Sequence, residues 1–458
     1  MFINRINELK WLDEAYKKAR KEGQLLVLYG KRRVGKTELV THFIKTKPHV
    51  YYLANRTTKE DQLRSATNVF GFTNTNFPSW REFFDYLIKD LKRRKKSAPP
   101  VVLVFDEFPY LAESDAGASS FFQYGWDMGL KDLKVVLIIM GSSISMMYKH
   151  ALIKSAPLYG RRTGQWLLEP FSFAHTKKFY PHSPFTNVFS LYAISGGIPA
   201  YARVFDGRKS LKENIMENIL PEGRYLSVEP ELLLSEEFDD ARSYLTILQA
   251  IGLGRTKFSE ILQKSQLASP SLPVYLQNLI DLRLIKKEVP VTEQTAEKSK
   301  KGFYSLSDPF LRFYFSFIFP NASLIKNQAF EALFKEQGEI LTQLVAKTYE
   351  DSSAEFIKNA GFVNFDKLGR WWDKDTEIDL VGINKADNAI LFAETKWNNR
   401  PVGTDVLGLL KKKAESVLWG DKNRKEYFAL ISKSGFTDEL LNQAKDEGVV
   451  LIKEDKVL

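Results

Sequence analysis

The stretch LLVLYGKRRVGKTELV, residues 25–40, decides the fold of the amino-terminal part of this chain. Its centre, Gly30–Thr37, has the spacing G-x-x-x-x-G-K-T and lies between an apolar run and an amphipathic segment, Glu38–Ile44. A glycine-rich turn between a strand and a helix can wrap its backbone N–H groups around phosphates, at the positive end of the helix dipole. The stretch therefore predicts a phosphate-binding loop for a nucleoside triphosphate in an α/β domain.

Two side chains of this loop have the chemistry that triphosphate binding needs. Lys36 supplies a point charge for the β- and γ-phosphates, and the Thr37 hydroxyl can ligate Mg²⁺. A chance match in an ordinary loop is the alternative, and the flanking strand and helix argue against it. The predicted nucleotide-binding residues are Gly30, Lys31, Arg32, Arg33, Val34, Gly35, Lys36, Thr37 and Glu38.

A second apolar run, Val101–Phe105, ends in two adjacent acids. Five successive apolar residues indicate a strand that is buried on both faces of a parallel sheet. Asp106 is predicted to hold the hydrated magnesium, and Glu107 to orient or deprotonate the attacking water. The alternative is that the acids only cap the next helix, and the upstream phosphate loop makes the metal site the better interpretation.

Small polar and basic residues follow a third predicted strand, Val135–Met140. Ser142 or Ser143 would lie at the same edge of the sheet and is a candidate for sensing the γ-phosphate. Arg161 and Arg162 could stabilise charge in the transition state, in cis or from a neighbouring subunit of a homo-oligomer. Two exposed arginines without a specific role are the alternative.

As a set, these stretches resemble the archaeal-type ATPases of the AAA+/STAND assemblage, which also occur in bacteria. The resemblance rests on FINRINEL at 2–9, YGKRRVGKTEL at 29–39, FDEF at 105–108, GSS at 141–143, LYGRRT at 158–163 and GGIPAY at 196–201. It implies that the nucleotide is ATP and that Pro199, in a G-x-P segment, lies near the nucleotide base. It is also the main support for a catalytic role of Arg161 and Arg162.

The composition is that of a large globular protein whose metal sites use oxygen ligands. A chain of 458 residues is too long for one core, and 44% hydrophobic with 27% charged residues argues against extensive disorder. The absence of cysteine excludes disulfides and thiolate metal sites, and five histidines disfavour structural zinc. We find no secretory signal and no apolar run of membrane-spanning length, so we expect a cytoplasmic protein without a membrane partner.

A net charge of +10 favours a polyanionic partner, and DNA is the predicted one. Residues 243–282 predict three helices with helix-turn-helix spacing, followed by a strand that begins at 284–285, a basic wing at 297–301 and a returning strand at 303–306. This pattern indicates a winged helix. Its third helix carries no lysine or arginine before Arg283, so a packing module is an equal alternative to DNA binding.

The last third of the chain places carboxylates and a lysine on a predicted hairpin, with strands at 371–381 and 389–397. Because strand side chains alternate between faces, Glu377 shares a face with Asp379, and Glu394 with Lys396. Such a cluster suits magnesium-dependent phosphodiester cleavage, with Asp379 and Glu394 as metal ligands and Lys396 positioning water. A cross-strand salt-bridge cluster is the alternative.

The spacing of Asp379, Glu394 and Lys396 resembles the D…(D/E)-x-K signature of restriction-endonuclease-like domains, a version of which follows the ATPase in many members of the same archaeal-type family. The match covers roughly residues 330–458. In those members a helix glutamate often precedes the signature, which implies Glu339 as a further metal ligand. Ile378 stands where the signature has proline, a departure that bears on activity more than on fold.

These observations predict an α/β protein with a P-loop parallel-sheet ATPase core at 1–170, a helical lid at 171–235, a winged-helix domain at 236–320 and a carboxyl-terminal α/β restriction-endonuclease-like domain at 321–458. The predicted function is a magnesium-dependent, ATP-hydrolysing switch coupled to a DNA nuclease or DNA-binding domain. The alternative is a STAND-like regulatory ATPase with an inactive carboxyl-terminal module. Candidate catalytic residues are Glu107, Ser142, Arg161, Arg162, Asp379, Glu394 and Lys396, and candidate metal ligands are Thr37, Asp106, Glu339, Asp379 and Glu394.

Overall fold

The computed structural model describes residues 2–72, 75–238, 240–295, 299, 301–361, 364–421 and 423–458. The chain divides into two compact units. The first comprises Met1–Phe171, Ile198–Ala200 and Ser235–Asp239, and the second comprises Ser172–Gly197, Tyr201–Leu234 and Asp240–Leu458.

The first unit alternates strands with helices. Its elements are α1 (Ile6–Lys18), β1 (Gln24–Tyr29), α2 (Lys36–Ile44), β2 (His49–Leu53), α3 (Lys59–Val69), α4 (Trp80–Lys92), β3 (Val101–Asp106), α5 (Phe108–Ser114), α6 (Ala118–Met128), β4 (Val135–Gly141), α7 (Ile144–Met147) and β5 (Gly164–Leu167). Leu130–Asp132 forms a 3₁₀ turn and Tyr148–Leu152 a π-helical turn.

The strands of the first unit form a five-stranded, all-parallel sheet in the order β2-β3-β4-β1-β5. Every residue of β1, β3 and β4 is buried, as their continuous apolar runs predict. Because β4 lies between β1 and β3, the loop after β4 opens between the phosphate loop and the acids that end β3. The predicted parallel α/β sheet is confirmed.

Helices cover both faces of this sheet. On one face, Leu12 of α1 and Leu39 and Phe43 of α2 pack in a common core with Leu26 of β1. On the other face, Phe105 of β3 lies in an aromatic cluster that includes the rings of α4 and α6. Side-chain alternation along each strand separates the two cores, and the doubly covered sheet holds the strand ends in fixed positions.

The second unit contains the remaining elements. They are α8 (Phe173–Thr176), α9 (Phe185–Ser195), α10 (Pro199–Ala202), α11 (Leu211–Asn218), α12 (Glu229–Glu237), α13 (Ala241–Gly252), α14 (Phe258–Ser265), α15 (Leu272–Asp281), β6 (Ile285–Glu288), β7 (Phe303–Leu306), α16 (Pro309–Phe313), α17 (Ala322–Lys326), α18 (Phe330–Ala360), β8 (Lys367–Asp373), β9 (Thr376–Asn384), β10 (Ala389–Lys396), α19 (Thr404–Ala414), β11 (Lys425–Ser432), α20 (Asp438–Glu447), β12 (Val450–Lys453) and β13 (Lys456–Val457). Short 3₁₀ or π-helical turns occupy Lys177–Phe179, Tyr225–Ser227, Tyr314–Ile318 and Phe319–Asn321. The ends of α10 and α12, at 199–200 and 235–237, belong to the first unit.

Three helices and a hairpin occupy the region predicted to be a winged helix. Helices α13, α14 and α15 match the three predicted helices to within two residues at each end. Strands β6 and β7 form an antiparallel pair. Of the predicted basic wing, Glu297, Lys298 and Lys300 lie outside the described residues, and the winged-helix assignment stays a prediction.

The carboxyl-terminal sheet has six strands in the order β13-β12-β11-β10-β9-β8. Strand β10 pairs antiparallel with β9 and parallel with β11. The single strand predicted at 371–381 is wrong, because the chain turns at Lys374–Asp375 and forms the antiparallel pair β8 and β9. The turn places Lys374 in the left-handed region, with φ of 50°. Among the described residues, no helix is both long and apolar enough to cross a membrane.

Candidate functional site

The backbone of the phosphate loop explains its two glycines. Gly30 has φ of 154° and Gly35 has φ of 96°, which are values that L side chains rarely adopt. A Cβ on Gly30 would also lie 2.5 Å from the carbonyl oxygen of Leu168. Helix α2 begins at Lys36 directly after this turn, so the loop meets a helix amino terminus as the sequence predicts.

Lys36 is buried, with 5% of its surface exposed, and is held by its own loop. Its Nζ donates to the carbonyl oxygens of Gly30 (2.9 Å) and Lys31 (3.1 Å). Burial lowers the pKa of Lys36 to about 8, and four neighbouring carboxylates, those of Glu107, Asp106, Glu237 and Glu236, act in the opposite direction. The ammonium group therefore remains mostly charged at neutral pH and faces an acidic neighbourhood.

Asp106 ends β3 at a cluster of hydroxyl groups. Its Oδ2 accepts hydrogen bonds from the Thr37 hydroxyl (2.9 Å) and the Tyr51 hydroxyl, and its Oδ1 accepts from the backbone N–H of Glu107 (2.8 Å). Burial raises the pKa of Asp106, while these hydrogen bonds oppose the shift. Thr37 and Asp106 together offer two hard oxygen ligands, the donor type that Mg²⁺ prefers.

Glu107 lies next to the predicted sensor. Its backbone adopts φ of 51°, and its carboxylate accepts hydrogen bonds from the hydroxyl (2.6 Å) and the backbone N–H (3.2 Å) of Ser142. The position of β4 between β1 and β3 creates this contact. Sequence spacing alone does not predict it, because the strand order is a tertiary property.

Six of the predicted nucleotide-binding residues, Arg32, Arg33 and Gly35–Glu38, line one cavity of about 430 Å³, within the usual range for small-molecule sites, which we call the phosphate cavity. Gly30, Lys31, Val34 and Pro199 do not line it. Its lining consists of Arg32, Arg33, Gly35, Lys36, Thr37, Glu38, Thr41, Glu107 and Ser142. Val34 is fully buried behind the loop. Pro199 also belongs to the first unit, where its Cγ lies 3.9 Å from the position a Cβ on Gly35 would occupy.

The two candidate catalytic arginines have other partners in this chain. Arg161 forms an ion pair with Asp127 (3.1 Å), and Arg162 donates to the carbonyl of Ala151 (2.7 Å). Arg162 also lies over the ring of Tyr159, 4.5 Å from its centroid. Neither arginine lines the phosphate cavity, so their action on ATP, including action on a neighbouring subunit, stays a prediction.

Arg5 is a positioning residue that sequence reasoning did not assign. It is 6% exposed and donates to the carbonyl oxygens of Val34 (3.0 Å) and Glu169 (2.9 Å) and to the carboxylate of Glu8 (3.0 Å). Its guanidinium lies 4.1 Å from the centroid of the Phe171 ring. These contacts fix the back of the phosphate loop and explain the R-x-x-E pair in the opening segment.

We call Asp379, Glu394, Lys396 and Lys413 the carboxyl-terminal cluster. In it, two lysines bind Glu394. Glu394 is buried, and its carboxylate accepts from Lys396 Nζ (2.7 Å) and Lys413 Nζ (3.1 and 3.2 Å). Asp379 accepts from the backbone N–H of Thr395 (2.9 Å). Burial, followed by the charges of Glu394 and Glu350, raises the pKa of Asp379 to about 7.

Two residues predicted for this cluster have other hydrogen-bond partners. Glu339 hydrogen-bonds with Gln343 on α18, whereas Glu350, three turns further along the same helix, is the glutamate whose charge acts on Asp379 and Lys396. Glu377 does not join Asp379, because it pairs with Arg370 of the neighbouring strand. Sequence reasoning also missed Lys413, whose only signal is a run of three lysines at the end of α19.

Among the described residues, no group of three or more histidines, aspartates or glutamates is arranged to hold a metal ion. Asp379 and Glu394 supply two acids, and two ammonium groups occupy the position next to Glu394. The cluster as it stands is a buried salt-bridge arrangement that a metal ion would have to open.

Family models match two parts of this chain. Residues 2–203 match an ATPase domain found predominantly in Archaea. Residues 314–417 match a domain described as archaeal and bacterial proteins of unknown function. The ATPase domain match contains every residue of the phosphate cavity.

Two solved structures show limited likeness. A Walker-type ATPase of Pyrococcus abyssi has a TM-score of 0.49 at 22% identity, with 69% of this chain and 96% of that one covered. The ORC2 protein of Aeropyrum pernix has a TM-score of 0.47 at 13% identity, with 71% and 96% covered. The family assignment rests on sequence instead.

The sequence relatives are from Methanocaldococcus jannaschii. One, an uncharacterised protein, is 34% identical over 445 residues, which are 94% of this chain and 96% of the relative. A second, an uncharacterised ATP-binding protein, is 43% identical over 47 residues, 10% of this chain and 76% of the relative. The chain therefore belongs to the family of archaeal-type ATPases that join this ATPase domain to the carboxyl-terminal domain matched at 314–417.

Proposed function

We propose that this protein is a magnesium-dependent ATPase that acts as a nucleotide switch. One observation carries the proposal: Lys36, Thr37, Glu107 and Ser142 line a single cavity, with Asp106 hydrogen-bonded to Thr37 at its edge. A phosphate-binding lysine, a pair of oxygen ligands and a carboxylate next to a polar sensor are the parts that phosphoryl transfer to water requires. The ATPase family match supports the same chemistry.

In this proposal, Lys36 exchanges its two carbonyl partners for the β- and γ-phosphate oxygens. Thr37 and Asp106 would hold Mg²⁺, which neutralises charge on the phosphates when it is bound. Glu107 orients or deprotonates the attacking water, and Ser142, already hydrogen-bonded to Glu107, responds to loss of the γ-phosphate. Arg5 keeps the loop backbone in place throughout.

Nucleotide titration of Lys36→Ala tests the proposal. We expect ATP binding to be lost, because Lys36 is the cavity's buried ammonium group, while Lys45→Ala, an exposed lysine just after the same helix, binds ATP like the wild type. Calorimetry with Mg-ATP measures both affinities. Unchanged ATP affinity in Lys36→Ala would refute the assignment of the site.

We further propose that the carboxyl-terminal cluster acts on DNA, with Asp379 and Glu394 as metal ligands and Lys396 as the residue that positions water. The chain's net charge of +10 supports a polyanionic partner. The two acids, together with Lys396 two residues after Glu394, support phosphodiester chemistry. Opening the site requires Lys396 and Lys413 to leave Glu394. ATP would then control access of DNA to the cluster.

Contacts in the second unit disfavour DNA reading by the predicted winged helix. Lys301 forms an ion pair with Asp373 of β8 (2.9 Å), and Phe303 of the hairpin packs on Trp372, with ring centroids 4.8 Å apart. The hairpin therefore packs against the carboxyl-terminal sheet. We propose a packing role for this region.

A cleavage assay distinguishes the two readings of the cluster. Supercoiled and linear DNA are incubated with the full chain and Mg²⁺ or Mn²⁺, with and without ATP, beside Asp379→Ala. Cleavage that is lost in Asp379→Ala supports a nuclease. Salt-dependent DNA binding without cleavage under any condition would favour the alternative, a regulatory ATPase with an inactive binding module.

A further inference from the structure

A short acidic segment distant in sequence contacts residues in and beside the phosphate cavity. Residues 235–238, at the end of α12 and just beyond it, belong to the first unit although the helix begins in the second. Within the first unit, the carboxylate of Glu236 contacts Arg32 of the phosphate loop, and that of Glu237 contacts the turn at 143–145. We call Glu236 and Glu237 the acidic arm.

Glu237 is bound by the turn that follows the predicted sensor. Its carboxylate accepts from the backbone N–H groups of Ile144 (2.9 Å) and Ser145 (3.1 Å) and from the hydroxyls of Ser145 (2.8 Å) and Ser143 (3.2 Å). The turn begins one residue after Ser142, which holds Glu107. The residue that binds Glu107 and the groups that bind Glu237 are therefore neighbours in sequence.

Glu236 interacts with a cationic side chain of the phosphate loop. It forms an ion pair with Arg32, which lines the cavity. The charges of both arm residues also act on Lys36. Arg32 and Lys36, which both line the cavity, therefore already interact with the acidic arm.

ATP carries a γ-phosphate that ADP lacks, and in the proposed site this group would lie near the acidic arm. It adds negative charge next to Lys36, where Asp106, Glu107 and the arm already supply four carboxylates. Thr37 and Asp106, which would hold a bound Mg²⁺, are not partners in the Glu236–Arg32 pair. The added charge therefore competes with the arm for Arg32 and Lys36 and repels its carboxylates.

We propose that Glu236 and Glu237 discriminate ATP from ADP: the arm stays bound beside ADP and is displaced by the γ-phosphate. The inference rests on the proposed nucleotide switch and names the residues that convert γ-phosphate binding into movement. Residues 229–234 of the same helix belong to the second unit, so displacement of the arm alters a helix that the two units share.

A purely structural role for the arm has a different signature. Ser143 already caps α7 by accepting from the N–H of Met146 (3.2 Å), so Glu237 is not required as the helix cap. If Glu237 only satisfied the N–H groups of Ile144 and Ser145, its replacement would lower stability and leave the relative affinities for ATP and ADP unchanged.

The test uses the full-length double variant Glu236→Gln/Glu237→Gln, which removes two charges and keeps the side-chain size. The control Glu222→Gln/Glu231→Gln removes two exposed charges from the second unit. Calorimetry measures the affinity for a non-hydrolysable ATP analogue and for ADP, each with Mg²⁺. We expect the arm variant to bind the ATP analogue about tenfold more tightly and ADP within about threefold of the wild type, and the control to match the wild type.

Equal changes for the two nucleotides, or no change, would overturn the inference. A second readout needs no substitution: hydrogen exchange at residues 229–238 of the wild-type chain should be faster with the ATP analogue than with ADP. Equal protection in the two complexes would also overturn it. If the wild-type chain binds neither nucleotide, the proposed switch itself fails, which is a different result from binding without discrimination.

Discussion

The phosphate cavity and the carboxyl-terminal cluster contain the same kinds of side chains in opposite arrangements. In the cavity, Lys36 lies on backbone carbonyls, and Asp106 is hydrogen-bonded by hydroxyl groups. In the cluster, Lys396 and Lys413 bind Glu394 directly. The carboxylate of the cavity is therefore available to a cation, whereas that of the cluster already has two.

The two regions differ in the partners of their carboxylates more than in the residue types that their motifs contain. A hydroxyl group can share a carboxylate with Mg²⁺, because both Thr37 and Asp106 present oxygen lone pairs. An ammonium group competes with the metal instead. We therefore expect removal of Glu107 to impair catalysis in the first region and removal of Glu394 to impair stability in the second.

The largest expected effect is the loss of hydrolysis in Glu107→Gln. The substitution removes the base and keeps a side chain that can hydrogen-bond with Ser142. We expect the turnover number to fall by about 10²- to 10⁴-fold, with ATP affinity and the unfolding midpoint close to wild type. Steady-state phosphate release and calorimetry measure these quantities. A clearly lowered unfolding midpoint in Glu107→Gln would contradict the comparison between the two regions.

Glu394→Gln should show the opposite pattern. It leaves Lys396 and Lys413, whose side chains are 35% and 21% exposed, without their carboxylate. We expect the free energy of unfolding to fall by about 1–3 kcal/mol, with ATP hydrolysis retained. Glu447→Gln, which breaks an exposed pair with Lys411, is the control and should change stability little. Urea titration measures both, and equal stability of the two variants would contradict the prediction.

Asp379→Asn should remove a pH dependence of stability. The folded pKa of Asp379 is about 7 against 3.8 for the free side chain, so between these values only the folded state keeps the proton. Stability therefore falls as pH rises through this window and stays low above it. We expect the variant to lose this slope and to be more stable than the wild type by about 1–2 kcal/mol at pH 8. A wild-type stability that rises between pH 5 and 7 in parallel with the variant would refute it.

The smallest expected effect is a gain in metal affinity in Lys413→Gln. The substitution removes one of the two ammonium groups that compete with a cation for Glu394. We expect Mn²⁺ to bind about fivefold more tightly in the absence of DNA. The electron paramagnetic resonance signal of free Mn²⁺ measures this affinity. Lys411→Gln on the same helix is the control, because its partner is Glu447. A decrease in Mn²⁺ affinity would show that Lys413 assists metal binding.

Local spacing was enough to predict the phosphate loop, the buried strands of the first sheet and the three helices α13, α14 and α15. The loop spacing identified residues 32–33 and 35–38 of the cavity lining, and continuous apolar runs identified β1, β3 and β4. These features depend on neighbours in sequence, which is the information that periodicity contains.

Features that depend on tertiary contact could not be predicted in this way. Glu339 and Glu350 are eleven residues apart and so lie on nearly the same face of α18, and periodicity cannot tell which turn reaches Asp379. The acidic arm and Lys413 come from segments whose position is set by the packing of the whole unit. From sequence, the acids at 373–377 were predicted to lie on one continuous strand. In the structure, the turn at Lys374 divides them between β8 and β9.

The strand order of the first sheet has a consequence for how the protein is made. Strand β1 pairs with β4 and β5, so that Leu25 is opposite Leu137, and Gly30 packs on the backbone of Leu168. A ribosome that adds about 5–20 residues per second exposes the phosphate loop many seconds before its supporting strands exist. We therefore expect nucleotide binding only after synthesis has passed Leu168, when the strands that support the phosphate loop have all been translated.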